Sequence, residues 1–66
     1  MAFNAAGLKE IRQRRGVTRE NLGDAVGRSA ESVRQWELGR CEPKERVLPL
    51  IARHLGVSIE TLLGLD

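Results

Sequence analysis

The chain is poor in the residues that build reactive sites. It has one cysteine, Cys41, and one histidine, His54, so an internal disulfide and a zinc or redox motif are both excluded. Tyrosine is absent, and Phe3 and Trp36 are the only aromatics, too few for the stacking platform of a single-strand binder. No apolar run is long enough for a signal peptide or a membrane span. No paired carboxylates, nucleophile–base set or phosphate-cradling loop stand out, and 66 residues leave little scaffold behind an active site. The expectation is one non-enzymatic domain spanning 1–66, without metal or cofactor, soluble and cytoplasmic, with Cys41 as a free thiol.

What is present is arginine. The charge balance of 11 Lys+Arg against 9 Asp+Glu is only +2, but nine of the eleven cations are arginine, whose planar fork suits phosphates and guanine edges. Lys9, Arg12, Arg14, Arg15 and Arg19 crowd the start of the chain, which makes the field lopsided. Composition alone fits a solvated charged surface equally well.

Punctuation is regular. Asn4, Thr18, Ser29 and Ser58 stand where helices start, because their side-chain oxygens can accept orphan N–H groups, and Gly16, Gly27, Gly39, Gly56 and Gly64 stand where helices stop. Phe3 with Leu8, Val17 with Leu22 and Val57 with Leu62 repeat the spacing of a hydrophobic staple across three of those starts. Helices are therefore expected at 5–15, 19–26, 30–37, 46–55 and 59–63, with no strand. Pro43 belongs to a loop, and Pro49 fits only the first turn of the fourth helix.

Helical periodicity then assigns faces. Leu8, Ile11, Arg12 and Arg15 share one side of the first helix, and Val33, Trp36, Glu37 and Arg40 one side of the third. Each apolar stripe carries a charge of opposite sign, and leaving either alone in a buried position is costly, so Arg12 and Glu37 are expected to bridge. The rest of the core is expected from Leu22, Val26, Leu48, Ile51, Ala52, Leu55, Val57, Ile59, Leu62 and Leu63. The opposite face of the third helix carries Glu31, Arg34, Gln35 and Leu38, with Ala30 at its margin. Arg34 and Gln35 have the groups that read guanine and adenine edges, Glu31 can accept from a cytosine amino group, and Ala30 can approach a thymine methyl. Glu31 also has a role within the helix, favouring the dipole in the first turn and pairing with Arg34.

In their order and spacing, IRQRRGVT, TRENLGDAVGRS, WELGR, the proline of CEP and the tail IARHLGVSIETLLG resemble the helix-turn-helix domains of the phage repressor and Cro type. The resemblance runs from Leu8 to Leu63. It implies an all-α, compact five-helix domain of lambda repressor-like fold, with the second helix across the DNA backbone and the third in the major groove. Carried over by position, Ala30, Glu31, Arg34 and Gln35 would face base edges. Arg19 would hold a phosphate, with Arg40, Lys44 and Arg46 as further phosphate partners. Backbone N–H groups at the start of the second helix and around Pro43 to Arg46 would do the same. The inward Arg12 and Glu37 match a pair that bridges in some members of the family.

Three positions depart from the family pattern. Arg19 stands where glutamine is common, Ala30 where glutamine or another neutral polar residue is common, and Gly23 where alanine is usual. Gly23 weakens its helix by up to ~1 kcal/mol relative to alanine, but leaves room for the third helix to approach. The implied function is a sequence-specific double-stranded DNA-binding transcriptional regulator, a repressor first of all. A homodimer would form through the fifth helix and the loop before it, unless the chain is the amino-terminal domain of a longer regulator. The alternative is a protein-interaction module, antitoxin-like or coactivator-like, that uses the same fold without base readout.

Overall fold

The computed structural model describes residues 3–65; Met1, Ala2 and Asp66 lie outside the described residues. Five α-helices follow one another: α1 (Ala5–Arg14), α2 (Arg19–Val26), α3 (Ala30–Glu37), α4 (Leu48–Leu55) and α5 (Ile59–Leu62). The described residues contain no strand, and no helix is long and apolar enough to cross a membrane.

The expected starts and stops are where the structure has them. Asn4, Thr18, Ser29 and Ser58 each cap a helix by accepting the amide of the residue three positions on, at 3.0–3.1 Å. Such a cap contributes about 1 kcal/mol, which matters for helices of eight residues that could not persist alone. Gly27 shows how they stop: at φ 73° it reverses the chain so that the Arg28 amide donates to the Gly23 carbonyl at 2.8 Å. The other four helices close in the same way, each on its own glycine. Leu8, Leu22 and Leu62 are fully buried, and Phe3, Val17 and Val57 pack against the core beside them, as the staple spacing requires.

The first and fifth helices each end one residue earlier than the sequence suggests, with Arg15 and Leu63 as caps. The fourth differs more. A single turn of 3₁₀-helix at Glu45–Val47 precedes α4, and Pro49 then lies in the first turn of the α-helix, where its missing N–H costs nothing. The turn drives Val47 inward to 2% exposure, and Pro43 is buried as well, so the loop after α3 contributes to the core. Trp36 is buried among the core side chains, on the same inward stripe as Val33.

α2 packs against both α3 and α4, and the α2–α3 turn is tight. A methyl group added at Gly23 would lie 2.7 Å from the Arg28 carbonyl oxygen and 3.0 Å from the Ser29 carbonyl carbon, both backbone atoms of the turn. Gly23 therefore sets how closely α3 approaches α2. Gly23→Ala should lose stability in a urea melt, even though helix propensity alone would add up to ~1 kcal/mol. A gain of that size would show that the turn has room.

Candidate nucleic-acid interface

Two arrangements of charge position the outer surface. The first is buried. The Glu37 carboxylate is fully shielded, and Arg12 donates to it through Nε at 2.5 Å and Nη2 at 3.4 Å, a two-pronged bridge between α1 and α3. Arg12 Nη1 also donates to the Val17 carbonyl at 2.7 Å, which ties in the α1–α2 connection. Arg19 is the third member: its Nε donates to Glu37 Oε1 at 3.0 Å while its side chain stays one-third exposed. The resemblance implies a phosphate contact for Arg19; its bond to Glu37 is a further, inward contact that helical periodicity does not reveal. The cause is its place at the first position of α2, within reach of the same carboxylate. Arg12, Thr18, Arg19 and Glu20 line an open cavity of about 270 Å³ at this spot, beside the N-terminus of α2.

The second arrangement lies on the exposed face of α3. Glu31 Oε2 accepts from Arg34 Nη1 at 3.1 Å and from Gln35 Nε2 at 2.5 Å, one turn along the same helix. The Gln35 hydrogen bond, followed by the nearby Arg34 guanidinium, holds the Glu31 carboxyl below its ordinary range, with Arg40 adding to the same effect and partial desolvation opposing it. Three of the four residues assigned to base readout are thus joined, and Ala30, half-buried, lies at the start of the same helix. Helical spacing marks the pairing with Arg34; that the same oxygen also takes Gln35, one residue on, is a feature of the structure. Arg40, Lys44 and Arg46 are exposed and make no side-chain hydrogen bond to a described residue. They follow α3 directly, Arg40 and Lys44 on the connection and Arg46 in the 3₁₀ turn itself.

A short helix with polar, hydrogen-bonding side chains outward, backed by α2 and flanked by loop cations, is the arrangement of a helix-turn-helix unit. Residues 5–63 match the family model described as a helix-turn-helix domain, and the chain belongs to that family. Two curated relatives come from Bacillus subtilis strain 168. The SPbeta prophage-derived HTH-type transcriptional regulator YonR is 30% identical over 56 residues, covering 85% of this chain and 52% of its own length. The HTH-type transcriptional regulator YqaE is 34% identical over 56 residues, covering 85% and 48%. The chain therefore spans about half the length of these relatives.

Among solved structures, the P22 c2 repressor in complex with a synthetic operator superimposes with a TM-score of 0.89 over 100% of both chains, at 26% identity. Hydroxypropylphosphonic acid epoxidase from S. wedmorenis contains the same fold at a TM-score of 0.81 and 33% identity, over 89% of this chain but 31% of the enzyme. The domain thus also occurs as a part of an enzyme, and the fold by itself does not set the activity.

Two measurements check the geometry. Removing the charge of buried Glu37 strands Arg12, so Glu37→Gln should cost about 3 kcal/mol in chemical denaturation, whereas Glu31→Gln should leave the midpoint nearly unchanged; equal losses would count against the buried bridge. Because the Glu31 pKa is lowered in the folded chain, its network is complete above the ordinary glutamate range and fades as pH falls through the lowered value. The Gln35 side-chain amide resonances should follow that titration, and amide shifts indifferent to it would show that the two side chains do not meet.

Proposed function

We propose that the chain is a sequence-specific double-stranded DNA-binding transcriptional regulator, a repressor by its likeness, that reads the major groove with α3 in the cytoplasm. The observation that carries the reading is the outward face of α3, where Arg34 and Gln35 stand side by side on a helix that the turn at Gly27 sets against α2. Arg34 supplies the donors that suit guanine, Gln35 the donor–acceptor pair that suits adenine, and Ala30 a small apolar contact beside them. Lys44, Arg40 and Arg46 neutralise phosphates on one flank. Arg19 does so on the other through its Nη groups, since only its Nε is engaged by Glu37.

Two-fold binding sites suit this unit, and the dimer contact is assigned to α5 with the loop before it. Val57 and Ile59 are half-buried there, and Leu65, just past the end of α5, is 71% exposed. The alternative of an interaction module without base readout finds no support in the relatives.

Selection from a random duplex library, followed by a salt titration, tests the reading. A consensus should emerge, and affinity should fall steeply with salt; no consensus, or indifference to salt, would overturn the proposal. Arg34→Ala should relax selectivity at particular positions, by about 1–3 kcal/mol. Arg19→Ala should weaken binding to all sequences and lower the salt slope by about one unit, with position-specific loss as the contrary result.

A further inference from the structure

Glu31 sits second in α3, exposed, with its neighbours committed to it. Its Oε2 atom takes a donor from Arg34 and another from Gln35. We infer that Glu31 is a positioning residue that sets specificity: it holds Arg34 and Gln35 as one unit for a guanine and an adenine, and does not itself read a base. The inference rests on the DNA-reading function proposed above.

The chemistry of the donors supports it. An ionised carboxylate only accepts, so the Gln35 amide must turn its nitrogen toward Glu31, which settles which end of the amide points where. One N–H is used there, and the carbonyl oxygen and the second N–H remain. That remaining pair is the set that meets N6 and N7 of adenine. Arg34 likewise gives one of its five donors to Glu31 and keeps the others for O6 and N7 of guanine. Tethering both long side chains before DNA arrives removes rotamer freedom that binding would otherwise have to remove. A direct role for Glu31 is less well matched, because reaching a cytosine amino group would release both neighbours. Its negative charge also works against the phosphates and against the acceptor-rich edges of the wrong bases, which lowers binding to unselected DNA.

These statements separate in one experiment. Wild type, Glu31→Ala, Arg34→Ala and Gln35→Ala are each taken through selection on the same random duplex library, with affinity for an unselected duplex measured in parallel. Glu31→Ala should lose about tenfold in discrimination at the base positions that Arg34→Ala and Gln35→Ala loosen, and at no others. Its affinity for the unselected duplex should rise. A purely surface pairing would leave the selected sequence unchanged, and that result overturns the inference. Loss at a position that neither neighbour governs would also overturn it, since Glu31 would then be reading a base directly. Absence of any consensus from the wild type would remove the DNA-reading function itself, a failure visible before any variant is compared.

Discussion

The Glu37 carboxylate is the point on which the arrangement depends. Its side chain is fully shielded, and an unpaired carboxylate there would be strongly destabilising. Arg12 and Arg19 supply the donors, and among the described residues no buried side-chain nitrogen or oxygen is left without a partner. Those donors come from α1 and from the first residue of α2, while the acceptor ends α3. With the Arg12 bond to the Val17 carbonyl, one carboxylate fixes three helices and a connection. Apolar packing tolerates small slides between helices, whereas a two-pronged bridge does not. A buried bridge of this kind contributes more to a single arrangement than to net stability.

The consequence reaches the outer surface. α3 is only eight residues long, so its orientation is set by what lies behind it: Val33 and Trp36 in the core, Glu37 at its end, and at its start the Gly27–Ser29 turn pressed against Gly23 of α2. Held at both ends, it has little freedom to tilt, and the Glu31–Arg34–Gln35 group rides on that platform. Arg19 belongs to both systems, because it is bonded to Glu37 on one side and lines the open cavity on the other. Arg19 is thus one point, beside the core contacts of α3, at which the buried bridge meets the outer surface.

Much of this was legible in the sequence because the relevant signals are local. A capping oxygen three residues before its amide, a glycine at a helix end and an apolar residue five positions before another each act within a few residues of one helix end. Arg12 and Glu37 are distant in sequence, yet each interrupts an apolar stripe, and burial forces opposite charges together. What stayed hidden was non-local or degenerate. Pro43 is buried because the loop after α3 folds inward, and no periodicity marks a loop; Val47 is buried by the 3₁₀ turn that precedes α4. Arg19 reads as a phosphate ligand, and only the fold brings Glu37 beside its Nε. Glu31 lies at helical spacing from both Arg34 and Gln35, and spacing alone does not say that one oxygen takes both.

The most direct test of the central bridge is a double-mutant cycle on Arg12 and Glu37, read as unfolding free energy in denaturant. If Arg12→Ala and Glu37→Ala each strand the other's charge, the double variant should be little less stable than either single variant, giving a coupling on the order of 1–3 kcal/mol. Additive losses, with no coupling between the two positions, would contradict the account.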